Sequence, residues 1–371
     1  GDQQRGMRSA LQSGESLLRE RLQTGFLGII AFALVLFLLV QARFMLICLA
    51  IAIIIFALTS DAISAFARLK VPNWLATTLA LIAIAFGLLW AATAVVAQVN
   101  EVVTTAILYS DRAQEVLTRL TADFSPRTRE GLSTFFGGIN AAGWMRSAAG
   151  QASNLISGAV LTVTFTAFMF AERAWFPVKL DRILGDPARG ARILRIVRSI
   201  TRRVNRYLLV KSAISLATAL LIWMIFRAAG LELAGAVAML TFILNFIPTI
   251  GSIIATVIAV VLTLAQTGDP TLTLLIGGLC TLVQFVIGNV LDPVLLGQTL
   301  RLSSFGIILS LAFWGAIWGI AGAFLAVPIM VAGMIVCAHI PWLRPIAVLL
   351  SHEGLPDEDD THPPESLRDA A

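Results

Sequence analysis

A long apolar stretch, residues 232–344, contains few polar side chains. The charged residues in its interior are Asp269, Asp292 and Arg301. A carboxylate at membrane depth can bind and release a cation or a proton. Asp292 follows an apolar run and is therefore the first candidate for ion exchange, ahead of Glu172, Glu232 and Asp269. Pro293 comes next in sequence and also ends helices, so an interfacial helix end is an equally good interpretation of Asp292.

Uncharged polar residues accompany this carboxylate. Amides and hydroxyls of this kind can hydrogen-bond a hydroxylated ligand. They can equally join neighbouring helices, at about 0.6 kcal/mol for each bond. The set consists of Asn245, Thr249, Ser252, Gln284 and Asn289.

Helix-breaking residues cut the apolar stretch at 245–252, 289–293 and 319–328. Pro248 lacks an N–H, and its ring is predicted to free the carbonyl of Leu244, while Gly251 permits a turn. Irregular backbone in a membrane persists where protein or a water-filled cavity covers it. Broken helices of this kind form binding sites in secondary transporters, although a simple proline kink is the alternative. The sequence predicts a polar cavity where 245–252 and 284–297 converge.

Composition excludes a soluble enzyme, because 58% of residues are hydrophobic, 13% are charged and the mean hydropathy is +0.86. No phosphate-binding Gly-x-x-x-x-Gly-Lys motif occurs, so a gradient is the expected energy source. Cys48, Cys280 and Cys337 lie in apolar spans, and all three histidines lie at or beyond the last span. We therefore expect no cofactor, no metal site and no enzymatic activity. The basic residues cluster in short loops, which indicates membrane topology rather than a nucleic-acid partner.

The elements that position these residues form an all-α polytopic membrane protein with about eight transmembrane helices. Two stretches, 233–268 and 302–343, are too long for one span of about 20 residues, and each is either kinked or re-entrant. The predicted segments are a leader (1–21), a transmembrane hairpin plus third span (22–100), an amphipathic helical segment outside the membrane (101–151), a fourth span (152–171), a basic loop (172–206), a transport core (207–343) and a disordered acidic tail (344–371).

Charge predicts the orientation. The stretch 172–211 holds eleven basic residues against three acids, which places it in the cytoplasm. Counting spans from this loop puts both termini in the cytoplasm. Ile193, Ile196 and Ile200 recur at helical spacing among arginines, so this helix either lies on an anionic leaflet or serves only as a topology signal. Lys211 is expected to extend to the interface.

Three motifs carry a family resemblance. They are Asn245-Phe-Ile-Pro248-Thr-Ile-Gly251, the set Asn289, Pro293 and Gly297, and the ending that runs from Phe313-Trp-Gly315 to Pro328. Together they resemble the autoinducer-2 exporter (AI-2E, or PerM) family of bacterial inner-membrane proteins. The chain departs from the family at 302–305, where many members have a proline, and this predicts a less rigid entry into the last helix.

The resemblance implies a homo-oligomeric transporter, a pentamer, without an ATPase. Its leading expected function is export of a small hydrophilic solute, with autoinducer-2 as the candidate, through the predicted cavity. The alternative is sodium or lithium/proton antiport with Asp292 as the exchanging carboxylate. A second alternative is a non-transporting membrane scaffold that recruits a partner through 101–151.

Overall fold

A computed structural model describes residues 23–67, 72–108, 141–295 and 302–354 of the chain. Within these ranges the backbone is helical and contains no β-strand, apart from an isolated antiparallel bridge between Leu302 and Ser351. Eight of the described helices are long and apolar enough to cross a membrane, which confirms the predicted fold class. The predicted segment 101–151 and the residue Gly297 lie largely or wholly outside the described residues.

Most of the described helices follow one another with short connections, apart from 109–140 and 296–301, which lie outside the described residues. In chain order they are α1 (Gln23–Gln41), α2 (Arg43–Ala67), α3 (Asn73–Leu108), α4 (Ala141–Glu172), α5 (Phe176–Leu184), α6 (Pro187–Ala228), α7 (Ala234–Leu244), α8 (Ile250–Thr267), α9 (Pro270–Val286), α10 (Ser304–His339) and α11 (Arg344–Leu350). Residues 1–47 and 48–371 form separate compact units, and the features described below lie in the second.

Side-chain caps start three of these helices. Asp186 accepts a hydrogen bond from the N–H of Ala188 at the start of α6, and Asp269 accepts two from the start of α9. Ser303 accepts from the N–H of Gly306 at 3.0 Å, and its own N–H donates to the carbonyl of Leu350. The entry into α10 is thus capped and tied to α11, in contrast to the loose entry expected from the missing proline.

Helices α7 and α8 form a first hairpin, residues 234–267. Helix α7 has 11 residues, about 16 Å, which is too short to cross the hydrocarbon core. Its Val237 shares one apolar cluster with Ala259 of α8, so the chain folds back on itself. The turn occupies 245–249, and Gly251 lies so close to α7 that an added Cβ would sit 1.7 Å from the carbonyl oxygen of Leu244.

Helix α10 forms a second hairpin, residues 304–339, folded at Gly319. In a straight helix residues 310 and 326 would lie about 24 Å apart. Here the hydroxyl of Ser310 donates to the carbonyl of Ala326 at 2.7 Å. Gly319 makes the fold with φ of +65° and ψ of −141°, a conformation open to glycine.

The two hairpins enter the helix bundle from opposite ends. The first begins beside Phe226, near the C-terminal end of α6, and runs back until Asn245 reaches Ser215. The second ends beside the N-terminal half of α6, where Arg192 donates to the carbonyl of His339 at 3.0 Å. They meet at Phe246 and Phe324, whose ring centroids are 4.8 Å apart.

This arrangement answers one open question and corrects two expectations. Both long stretches are re-entrant hairpins rather than kinked single spans. The carbonyl of Leu244 is not freed by Pro248, because the N–H of Ile247 donates to it at 2.9 Å in a tight turn. The apolar face of the basic helix is not free to lie on a leaflet, since Ile196 and Ile200 pack against the buried apolar cluster that contains Met334 of α10.

Candidate functional site

One face of α6 carries a buried row of polar side chains, which we name the polar stripe. Its members recur every three or four residues, so they lie one above another along the helix. All five are at most 4% exposed, in the middle of an otherwise apolar bundle. The polar stripe consists of Arg203, Tyr207, Lys211, Ser215 and Thr218. Their spacing is visible in the sequence, but only the structure shows that this face of α6 is buried.

An ion pair joins the polar stripe to Asp292. The ammonium nitrogen of Lys211 lies 2.7 Å from Oδ2 of Asp292, and the two side chains are 4% and 25% exposed. The expectation that Lys211 extends to the interface is therefore wrong. Each of these two desolvated charges is compensated by the other, so removing either partner leaves the remaining charge buried without compensation.

A widened helical turn presents Asp292. Residues Ile287–Leu291 form a π-helical turn directly after α9, and the N–H of Asp292 donates to the carbonyl of Ile287. A π turn contains one more residue than an α turn and so changes which side chains face the bundle; such turns are frequent at functional sites. Pro293 follows on the exposed side. Asp292 is thus followed by further helix within the described residues, as far as Leu295, and does not itself end a helix.

Two polar atoms beside the ion pair have no hydrogen-bond partner within the described residues. They are Oδ1 of Asp292 and the hydroxyl of Tyr207, and both are buried. Tyr207 stands one helical turn from Lys211 on the polar stripe. Buried polar atoms are normally paired, so an acceptor and a donor left open beside an ion pair mark a place where a polar ligand can bind.

The first hairpin contacts the polar stripe one turn further along. Asn245, at the end of α7, donates from its amide nitrogen to the hydroxyl of Ser215 at 3.1 Å, and both side chains are buried. The predicted site residue Asn245 and the predicted acid Asp292 therefore converge on neighbouring turns of α6. Sequence reasoning missed α6 as the element that brings them together.

The turn of the first hairpin is strained. Thr249 has φ of +62°. Among the described residues it is the one non-glycine residue with a positive φ. A backbone conformation in such a sparsely populated region costs an L-residue about 1–3 kcal/mol. The hydroxyl of Ser252 donates to the carbonyl of Thr249 at 2.8 Å, and Pro248 is half-buried beside it. Backbone strain of this kind persists where surrounding contacts hold it, often at functional sites.

The remaining predicted site residues differ in burial and in their contacts. Gln284 is buried on α9, whereas Asn289 is exposed and donates to the carbonyl of Phe285 in its own helix. Among the other acids, Asp269 is a helix cap and Glu232 is exposed. Glu172 forms an ion pair with Lys179 outside the buried stripe.

These features define a class of protein. Two re-entrant hairpins that enter a helix bundle from opposite ends, beside a buried ion pair, are typical of membrane transporters, in which broken helices form the site near the middle of the bilayer. A family comparison agrees with this class. Residues 27–342 match the family described as AI-2E family transporter, and the chain belongs to that family.

Individual relatives extend the comparison. The chain is 35% identical over 202 residues to the AI-2 transport protein TqsA of Escherichia coli, a match that covers 54% of this chain and 57% of TqsA. It is 30% identical over 224 residues to a candidate transport protein of Borreliella burgdorferi, covering 59% and 61% of the two chains. A candidate transport protein of Haemophilus influenzae is 28% identical over 309 residues, covering 81% and 88%.

Proposed function

We propose that this chain is a gradient-driven transporter that moves a small hydrophilic solute across the membrane along the polar stripe, with autoinducer-2 as the first candidate. The observation that carries the proposal is the buried Lys211–Asp292 pair at 2.7 Å, one helical turn from the Asn245–Ser215 bond. The similarity to TqsA, which is named as an AI-2 transport protein, supports the choice of solute.

The mechanism follows from the exchange of hydrogen bonds. A hydroxyl-rich solute can donate to the open Oδ1 of Asp292 and accept from the ammonium of Lys211, so it replaces the bonds that the pair now makes internally. The buried charges then stay compensated while the direct pair separates. Because Asn245 connects the adjacent turn of α6 to the first hairpin, separation of the pair is transmitted to that hairpin.

The setting we propose is the bacterial inner membrane with both termini in the cytoplasm. It is supported by the basic loop before α6, which the positive-inside rule assigns to the cytoplasm, and by two hairpins that each return to the side they entered from. The family resemblance adds a homo-oligomer, with five subunits as the number to test. Native mass spectrometry of the purified protein in lipid nanodiscs measures that number.

Flux in proteoliposomes tests the solute. Vesicles that contain the purified protein are loaded with isotope-labelled autoinducer-2, and its loss is followed under an imposed proton gradient. We expect efflux from vesicles with the native protein and none with Lys211→Met or Asp292→Asn. Ser310→Ala, which removes a buried hydrogen bond in the second hairpin, is the matched control and should keep flux. Equal flux in protein-free vesicles would reject this solute.

Thiol labelling tests the pathway. In a chain without its native cysteines, Thr249→Cys and Ser252→Cys place a thiol at the turn of the first hairpin, and Ala259→Cys places one at a position that is 1% exposed. We expect a membrane-impermeant maleimide to react at 249 and 252, faster when the solute is present, and not at 259. Failure of both turn positions to react in every condition would exclude a water-accessible pathway there.

Cation/proton antiport is the second candidate, and the open oxygen of Asp292 is the observation that favours it. We rank antiport below solute transport, because a sodium or lithium ion must compete for Asp292 with the Lys211 ammonium already in place. A trapped pH dye in proteoliposomes measures proton movement when either cation is added outside. A signal that Asp292→Asn abolishes would make antiport the function; silence in vesicles shown to be sealed would exclude it.

A further inference from the structure

Two amphipathic helices of the basic loop differ in what covers their apolar faces. Helix α6 packs Ile196 and Ile200 into the protein core. Helix α5 contains no buried residue, although Phe176, Leu180, Ile183 and Leu184 share one face at helical spacing. Ile183 is 80% exposed and Phe176 is 48% exposed. We name these four residues the α5 apolar face. Leu180 and Leu184 are half-buried, so the part that requires an occupant is formed by Phe176 and Ile183.

Helix α5 lies directly beside a membrane span. The apolar span of α4 ends at Glu172, four residues before α5 begins, and Trp175 between them is 62% exposed. Exposed tryptophans are typical of the headgroup layer of a bilayer. Trp342, which is 78% exposed, follows the end of α10 at the same end of the bundle, where Arg192 contacts His339. Both tryptophans therefore indicate one interface.

The charges around α5 complement an anionic surface. The acids have partners or close neighbours within the protein, although Glu172 and Asp181 are exposed: Glu172 pairs with Lys179, Asp181 lies against Gly190, and Asp186 caps α6 and pairs with Arg189. Further cations at this end are exposed, on α5 and on the outer side of the first turns of α6. They are Arg182, Arg195 and Arg198.

We propose that the α5 apolar face is a binding surface for anionic phospholipid, with Ile183 and Phe176 inserted among the acyl chains and Arg182 contacting the headgroups. An apolar face with flanking cations is the composition that binds helices to the surface of anionic membranes. The surface lies outside the polar stripe, so its role does not depend on the proposed transport.

Photo-crosslinking in the full chain tests this surface. Benzoylphenylalanine replaces Ile183, or Val178 as the matched control, in protein reconstituted into nanodiscs of phosphatidylcholine mixed with phosphatidylglycerol. Val178 is also exposed, but it points about 140° away from Ile183 around the helix. Mass spectrometry after illumination identifies the adducts. We expect phospholipid adducts at 183, roughly twofold or more above those at 178, with phosphatidylglycerol enriched over its share of the bilayer.

Three results would overturn the proposal. The first is a subunit–subunit adduct at 183, which would assign the surface to a second copy of the chain. The second is lipid adducts at 183 without enrichment of phosphatidylglycerol, and the third is equal labelling at 183 and 178. Arg182→Gln leaves the apolar face unchanged, so it should lower the phosphatidylglycerol enrichment at 183 while phosphatidylcholine adducts persist.

Discussion

The two re-entrant hairpins have similar outlines but differently built turns. The first turns through five residues and places Thr249 at φ of +62°, where an L-residue is strained. The second turns at Gly319, whose φ of +65° costs glycine little. One turn therefore stores strain, and the other does not.

The two hairpins also differ in where their buried hydrogen bonds lead. Asn245 of the first hairpin bonds to Ser215 on the polar stripe, one turn from the Lys211–Asp292 pair. Ser310 of the second hairpin bonds to Ala326 within its own hairpin, and Trp314 packs on Trp318 with ring centroids 4.6 Å apart. The first hairpin is thus hydrogen-bonded to the polar stripe, whereas the second packs on α6 through apolar side chains such as Val327 and Val331. We therefore expect the first hairpin to respond to the site and the second to brace the bundle.

The largest expected effect comes from breaking the ion pair. Lys211→Met or Asp292→Leu alone should lower the free energy of unfolding by about 3–5 kcal/mol, because each leaves a buried charge without its partner. The double variant Lys211→Met/Asp292→Leu should recover most of that stability while transport stays absent. Thermal unfolding in detergent and flux in proteoliposomes measure the two properties. Transport by the double variant would remove the pair from the mechanism.

Glycine-to-alanine changes at the two close approaches come next. Gly251→Ala directs a Cβ to 1.7 Å from the carbonyl oxygen of Leu244, and Gly322→Ala directs one to 1.9 Å from that of Trp314. Overpacking of this kind costs about 1–3 kcal/mol, so both variants should unfold at lower temperature. Flux per folded molecule should fall only for Gly251→Ala. Equal loss of flux in Gly322→Ala would contradict a purely bracing second hairpin.

Removing one buried hydrogen bond from each hairpin sharpens the same contrast. Asn245→Ala and Ser310→Ala each leave a buried partner without its bond, at a cost of about 1–3 kcal/mol. Their thermal shifts should be similar. The solute concentration at half-maximal flux should change for Asn245→Ala and stay unchanged for Ser310→Ala. If both variants transport as the native chain does, the Asn245–Ser215 bond is structural.

The smallest effects are expected at the turns themselves. Thr249→Gly relieves about 1–3 kcal/mol of strain but adds about 0.5–1 kcal/mol of unfolded-state entropy, which leaves a net stabilisation of about 0.5–2 kcal/mol. Gly319→Ala introduces strain and should destabilise by about 1 kcal/mol. Chemical denaturation followed by tryptophan fluorescence measures both. A destabilised Thr249→Gly would show that the threonine side chain contributes more than its backbone costs.

Much of the fold was predictable because segments that enter a membrane must be long and apolar, a pattern that is easily recognised in sequence. Runs of about 20 apolar residues and the breaks at Pro248 and Gly319 indicated the helices and the two irregular segments. Asp292 and Asn245 were identifiable as site candidates because polar groups are rare in such runs. Orientation, oligomeric state and solute remain predictions that flux, labelling and mass measurements must decide.

What only the tertiary structure decided was the pairing of distant residues. Sequence spacing cannot distinguish a kinked helix from a hairpin, because both break at the same residue; the Ser310–Ala326 bond makes that distinction. Nor can local sequence show that Lys211 is buried, since an amphipathic lysine near a helix end satisfies its charge equally well in water. It turns inward because the π turn after α9, 76 residues or more along the chain, brings Asp292 to within 2.7 Å of it. The apolar runs determined which segments enter the membrane, and packing determined which of their few polar groups meet.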